Sequence, residues 1–405
     1  MSKLNSVVIV GAGLAGANTA FALREHGFDG RVTVVGDEPE WPYERPPLSK
    51  TYLRAEEPLD KAYVRPAVEY ERQRIDLRRG VRATAIDVAR RRLTTDGGTL
   101  EFDALVLATG AAPRRLEVPG ARLSGVHYLR NASDSDALRE AAARADSIAV
   151  VGGGWIGAEV AASLRQLEHT VTLITSRPRP LEHVLGAQIA EVYRDVHREH
   201  GVRIVTGRVV ALEGGERVSG VTVADGTRVA ADLVVVGAGA IPRIDLARDA
   251  GLDIADGAVV VDERLRTSAA GIFAAGDIAT AWSPRYGRLV HVEHWDNAIR
   301  QGGLVAENIL GADAAYERVP YFYSDQYDVG MEYRGLTSEW DRVVVRGDIG
   351  AREFHAFWLE RGHVAAAMNV NLWDDGDELQ ALVESNAFVD PDSLADPGVP
   401  LANAA

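Results

Sequence analysis

Cysteine is absent from this chain of 405 residues. Disulfides, thiolate metal ligands, covalent thiol catalysis and a redox-active C-x-x-C pair are all excluded with it. Long apolar runs are absent too: no stretch approaches a membrane span, and the N-terminus enters a β-branched run without a positively charged, hydrophobic leader. A cytoplasmic protein with no membrane partner is the expectation. Positive charge is in deficit, 44 Lys and Arg against 59 Asp and Glu for a net −15, which favours solubility and argues against nucleic acid as the main partner. No metal site is expected. Any redox chemistry has to be carried by bound cofactors.

What the chain has in plenty is glycine, 40 residues, and two groups of them share one design. Val7-Val8-Ile9-Val10 runs into Gly11-Ala12-Gly13-Leu14-Ala15-Gly16, and Ile148-Ala149-Val150-Val151 runs into Gly152-Gly153-Gly154-Trp155-Ile156-Gly157. A strand, then G-x-G-x-x-G, then a helical pattern is the context in which a dinucleotide pyrophosphate rests on a helix N-terminus. Alone, such a turn is also a common structural strand-to-helix connection; the duplicate favours two dinucleotide sites. The length exceeds what one core usually organises, so two or three domains are expected.

Along the chain, helix is predicted from Ala17 to His26, ending at Gly27, with Arg31 to Val35 returning as a strand. The ribose-binding acid belongs about 20 residues past the glycines. Gly36 takes the strand-end slot, and of the neighbouring Asp37 and Glu38 the assignment goes to Asp37. Residues Trp41 to Lys50 are too proline-rich for helix or inner strand and form an ordered loop. Two buried strands end in small-residue turns that allow close approach of a ligand: one in Ala108-Thr109-Gly110, the other in Gly237-Ala238-Gly239. The second glycine turn opens its own βαβ unit, with a helix from Ala158 to Leu167 and a strand from Val171 to Thr175. Ile272 to Ala275, ending in Gly276-Asp277, reads as a return to the first domain. From about Pro320 the texture changes to aromatic-rich alternating strands, at 321–323, 342–345, 354–359 and 363–368. The Pro-, Asp- and Ala-rich tail is expected to be loosely held. The division read from these signals is 1–110 and 243–319 for the first nucleotide domain, 111–242 for the second, and 320–405 for a closing module.

The ordered set of G-x-G-x-x-G, R-P-P-L-S-K, A-T-G-A, a second G-x-G-x-x-G, G-A-G-A, A-A-G-D and F-x-S-D-Q-Y spans the whole chain. In that order it resembles the flavoprotein ferredoxin reductases of bacterial monooxygenase and dioxygenase systems. The resemblance implies an α/β fold: two Rossmann-like dinucleotide-binding domains of the glutathione-reductase type plus a C-terminal α+β domain. It implies FAD at the first turn, NADH or NADPH at the second, and electron delivery to a [2Fe–2S] ferredoxin, the chain being a monomer or homodimer. For FAD it points to Gly11, Gly13, Ala15, Gly16, Asp37, Arg45, Lys50, Ala108, Thr109, Gly110, Gly276, Asp277, Glu293, His294 and Trp295. For the nicotinamide nucleotide it points to Gly152, Gly154, Trp155, Ile156, Gly157, Glu159, Ser176, Arg177 and Gly239. Lys50, paired with Glu159, is expected beside the flavin atom that receives hydride, where positive charge stabilises the reduced anion.

Each assignment has a plainer alternative. Asp277 serves equally as a helix cap, Lys50 as an exposed loop lysine, Glu159 as a first-turn acid favoured by the helix dipole, and Trp295 as a buried packing residue. Relatives often carry Trp where this chain has Tyr323. Thr175-Ser176-Arg177-Pro178-Arg179 offers no acid for a ribose 2′-hydroxyl, while Gly157 as third glycine leans toward NADH, so the nucleotide stays open. An NAD(P)H oxidase or quinone reductase of the same fold, and a nucleotide-dependent interaction protein resembling apoptosis-inducing factor, are the rival readings.

Overall fold

The structure, a computed structural model, describes residues 4–337 and 339–403. Contacts divide the chain into two compact units: Met1–Arg45, Pro58–Ala112 and Ala240–Arg318 form the first, and Pro46–Glu57, Pro113–Gly239 and Val319–Ala405 the second.

The first unit is built on five parallel strands in the order Ile272–Ala274, Ala104–Leu107, Ser6–Val10, Arg31–Gly36, Ile75–Arg79. The central runs Ser6–Val10 and Ala104–Leu107 are buried along their whole length, as parallel strands covered on both faces must be. The helix Leu14–Glu25 follows the first glycine turn and is closed by Gly27 in the left-handed region, φ +81°. Against it runs the helix Trp295–Ile309; a Cβ at Gly302 would stand 2.6 Å from the Ala15 carbonyl oxygen, so only glycine permits this crossing.

The second unit repeats the plan, with parallel strands in the order Arg203–Thr206, Val171–Thr175, Ile148–Val151, Leu233–Val236, Val126–Tyr128. Each unit also carries a three-stranded antiparallel sheet, Ala83–Glu101 in the first and Val209–Ala230 in the second. The second unit adds an antiparallel sheet in the order Tyr321–Gln326, Val329–Gly335, His363–Val370, Glu353–Glu360, Arg342–Asp348. Both faces of this sheet are covered. Phe354, Ala356 and Trp358 meet Leu185, Ile189 and Tyr193 of the helix Glu182–Glu199, while Phe357 and Leu359 meet Leu379 and Leu382 of the helix Gly376–Ser385.

Several expectations need correction. Both glycine-turn helices start three residues earlier than the hydrophobic pattern suggests, at Leu14 and Trp155, because the first helical turn lies inside the glycine motif. The strand Val329–Gly335 escaped the sequence reading; glycines stand at its second and last positions. The C-terminal tail is docked, not loose: Asp390 caps the helix Pro391–Ala395, and Val389, Leu394 and Leu401 are buried. Pro46–Glu57, part of the segment 1–110, makes its contacts with the second unit. Leu53 joins the core of Leu138 and Leu164, and Ser135 Oγ donates to the Leu48 carbonyl at 2.9 Å. Among the described residues no helix is long and apolar enough to cross a membrane.

The docking of the tail is testable. Leu394→Ala empties a fully buried site and is expected to lower stability in urea unfolding by about 2–4 kcal/mol. An unchanged transition would mean that the tail is not part of the core.

Candidate functional site

In the first unit, the candidate residues gather at the carboxyl ends of the parallel strands, where open α/β sheets bind ligands. Gly11 takes φ +115°, and a Cβ there would lie 2.0 Å from the Ala108 carbonyl oxygen; at Gly16 it would lie 1.9 Å from the Gly11 oxygen. These two glycines let the turn fold onto itself. Gly13 differs, since a Cβ there meets no neighbouring atom within 4 Å. Gly13 is also the N-cap of its helix, with no side-chain cap and no acid in the first turn. The turn therefore presents uncapped N–H groups and an open face, which suits a pyrophosphate. Gly36 is explained as well: a Cβ would sit 2.4 Å from that of Ala12.

Around this turn, Thr109 Oγ1 donates to the Arg243 carbonyl at 2.9 Å, and Gly110 and Gly276 take φ +63° and +79°. Gly276 N–H donates 2.8 Å to Gln301 Oε1, and a Cβ at Gly276 would lie 3.2 Å from the Ala15 Cβ. Asp277 leads into the strand Ala279–Ser283, so the helix-cap alternative falls away. It acts electrostatically on Arg45 and on His294. His294 is the N-cap of the helix Trp295–Ile309, and burial pushes its pKa down to about 4 against the pull of Asp277 and Glu293. Burial raises the Glu44 carboxyl, with Trp295 acting against the shift. Glu293 is exposed.

Of the two acids after the second strand, Asp37 is exposed and paired with Arg243 at 3.3 Å and Arg82 at 3.6 Å. Glu38, which the sequence reading passed over, is the more enclosed: Arg45 Nη2 stands 2.6 Å away and the Tyr43 hydroxyl donates to it. Burial works to raise the Glu38 carboxyl, but Arg45 outweighs it and the net shift is downward.

In the second unit the turn is a copy. Gly152 has φ +118° with a Cβ position 2.2 Å from the Gly237 oxygen, Gly157 would meet the Gly152 oxygen at 1.9 Å, and Gly154 faces open space as an uncapped N-cap. Gly239, at φ +102°, closes the turn after the strand Leu233–Val236 and accepts from Arg114 N–H at 2.9 Å. Ile156 is exposed, whereas Trp155 packs edge-on against Phe322 at 5.0 Å and Tyr193 at 6.1 Å. Trp155 is half-buried, with its ring against these two side chains and its backbone in the turn. Beyond the strand Val171–Thr175, Ser176 and Arg177 are exposed; Arg179 is held by Glu191 and by Glu182 at 3.3 Å.

Lys50 and Glu159 are brought together. Lys50 Nζ lies 3.0 Å from Glu159 Oε1 and 5.0 Å from the centre of the Tyr323 ring. The pair is buried, Lys50 at 8% exposure and Glu159 at 4%, so neither the loop-lysine nor the surface-acid alternative holds. Ser49 Oγ donates 2.6 Å to Glu159 Oε2 and Ser324 Oγ 2.7 Å to Oε1. Neither serine was singled out from sequence, although both lie in segments that were. A signal existed for Ser324: Phe322, Ser324 and Gln326 alternate along one strand and so share a face. Among the described residues no cluster of His, Asp or Glu could hold a metal.

Comparison with known proteins matches residues 5–302 to the pyridine nucleotide-disulphide oxidoreductase model and 321–405 to the reductase C-terminal model. Putidaredoxin reductase of Pseudomonas putida is 37% identical over 99% of this chain and 97% of its own. The ferredoxin–NAD(+) reductase component of the Burkholderia cepacia anthranilate 1,2-dioxygenase system is 40% identical over 97% and 98%. Among solved structures, a ferredoxin reductase from Rhodopseudomonas palustris superposes with a TM-score of 0.95 at 36% identity, covering 99% of this chain and all of that one. The covalent putidaredoxin reductase–putidaredoxin complex gives 0.93 at 37%, covering 98% and 97%.

The glycines separate folding from binding. Gly11→Ala and Gly152→Ala are expected to destabilise the protein itself, because backbone must move. Gly13→Ala and Gly154→Ala should leave the melting temperature of ligand-free protein unchanged while weakening dinucleotide retention; equal losses at all four positions would contradict the cradle geometry. A second expectation concerns acid. His294 stays neutral in the fold down to about 4 but ionises near 6.5 when unfolded, so its contribution is complete above the unfolded value and is lost as pH falls toward 4. Melting temperature should decline across that window, less steeply in His294→Asn; parallel declines would exclude this source.

Proposed function

The chain belongs to the pyridine nucleotide-disulphide oxidoreductase family, and from that membership we propose that it is an FAD-dependent reductase passing electrons from NAD(P)H to a [2Fe–2S] ferredoxin that serves an oxygenase. The observation that carries this reading is the pairing of two dinucleotide cradles with a complete lack of cysteine. The family name refers to disulphide chemistry, which needs a thiol pair in the protein. With none, electrons have to leave to an outside acceptor, and the relatives named above are a putidaredoxin reductase and a ferredoxin–NAD(+) reductase component.

When bound, flavin supplies the conversion between a two-electron hydride and single electrons. The protein's part is position and charge. Gly11, Gly13 and Gly16, with the N-terminus of the helix Leu14–Glu25, hold one pyrophosphate; Gly152, Gly154 and Gly157 hold the other. Glu38 fixes Arg45 at 2.6 Å, and Arg45 and Asp277 would help to hold the flavin nucleotide. Lys50 is assigned to the reducing step, where a fixed ammonium favours arrival of hydride. Glu159, hydrogen-bonded from both sides by serines, sets where that ammonium stands.

Nucleotide choice follows from the end of the strand Val171–Thr175. No acid stands there, Arg179 is neutralised by two glutamates, and Arg177 is exposed with no ion pair among the described residues. Arg177 is the group that receives a 2′-phosphate, which favours NADPH.

Three measurements test this. Cytochrome c reduction should depend strongly on added ferredoxin; rapid oxygen or quinone consumption without it would support the oxidase reading instead. Lys50→Met should slow flavin reduction in stopped-flow mixing, and an unchanged rate would remove Lys50 from the mechanism. Arg177→Ala should raise the KM for NADPH about tenfold, the loss of ~1.4 kcal/mol from a charge-assisted bond, while leaving NADH unaffected. Unaltered NADPH kinetics would exclude the phosphate contact.

A further inference from the structure

The polar cluster around Glu159 extends beyond the groups that the reducing step uses. Ser324 Oγ donates to Glu159 Oε1 at 2.7 Å, Gln326 Nε2 donates to Ser324 Oγ at 3.4 Å, and His197 Nε2 lies 3.0 Å from Gln326 Oε1. His197, Gln326 and Ser324 are buried to 0%, 1% and 1% exposure.

Hydrogen-bond chemistry sets the direction of this chain. A carboxylate can only accept, so the Ser324 hydrogen points to Glu159. The Ser324 lone pairs then take a hydrogen from the Gln326 amide, and the Gln326 oxygen is turned to His197. His197 has to be the donor. Burial pushes its pKa down to about 4, so at neutral pH the ring carries one hydrogen, on Nε2. Nδ1 is left as an acceptor, with the Tyr327 hydroxyl 3.4 Å away and Tyr327 stacked on His200 at 3.7 Å. The other ionisable groups about Glu159 are Lys50, Asp325 and the buried Tyr193 hydroxyl, with Arg54 beyond Asp325.

We propose that His197 is a positioning residue: through Gln326 and Ser324 it starts an oriented chain of hydrogens that fixes where the Glu159 carboxylate stands against Lys50. This rests on the role given above to Lys50 and Glu159. Hydrogen bonds in series polarise one another where the surroundings are dry, so a donor three links away still bears on the carboxylate. A simple brace between the helix Glu182–Glu199 and the strand Tyr321–Gln326 would need contact but no direction.

The test uses holoenzyme carrying isotope-labelled histidine. The His197 Nε2–H resonance, assigned by its disappearance in His197→Leu, is expected to move in Ser324→Ala and in Glu159→Gln. Flavin reduction should slow about fivefold in His197→Leu and in Gln326→Leu, and return to within about twofold of the native rate in His197→Gln, which restores a donor at that place. A resonance unmoved by Glu159→Gln, or a glutamine variant as slow as the leucine one, overturns the proposal. If Lys50→Met leaves reduction unchanged, the assigned role of Lys50 fails, and the resonance shift still reports on the chain separately.

Discussion

The fold depends on two missing Cβ atoms. At Gly11 and Gly152 the backbone enters a region of φ that side chains disfavour, and each glycine lies against the carbonyl of a neighbouring strand's end, from Ala108 and Gly237. Without that approach the helix could not begin immediately after the strand. With it, each unit offers a helix N-terminus that no side chain caps among the described residues. Gly16 and Gly157 close the same turn from the helix side, and Gly13 and Gly154 leave its outer face open. One constraint, used twice, gives a common connection the shape that suits an anion.

The buried pair in the second unit obeys a different constraint. Taking Lys50 and Glu159 out of water costs more than their attraction alone reliably returns, and removing one partner of such a pair typically costs about 3–5 kcal/mol. Ser49 and Ser324 offset part of the desolvation, and His197 and Gln326 extend the support inward. A pair held this carefully is poorly explained by stability, since apolar residues of similar size would serve as well. A fixed charge needed for chemistry explains it better.

Much of this was legible in the sequence because local rules govern it. The β-branched runs, the spacing of Gly11, Gly13 and Gly16, and their repetition at Gly152 identify the two nucleotide folds, and the order of the motifs carries the family. What could not be read there depends on tertiary contact. Asp37 and Glu38 are adjacent and chemically alike, and only the loop bearing Tyr43 and Arg45 distinguishes them. The contact of the Trp155 ring with Phe322, far along the chain, has no signal in the glycine motif. The tail's proline and aspartate read as disorder, whereas three well-spaced apolar side chains dock it. His197 carried no sequence signal, because its partner Gln326 lies 129 positions away.

The account stands or falls on an anaerobic titration of the purified protein. The native protein should be yellow, bleach on addition of NADPH or NADH, and recover its colour as an oxidised [2Fe–2S] ferredoxin is added, two ferredoxins being reduced for each nucleotide consumed. A protein that binds no flavin on reconstitution, or whose bound flavin is indifferent to both nucleotides, would contradict it.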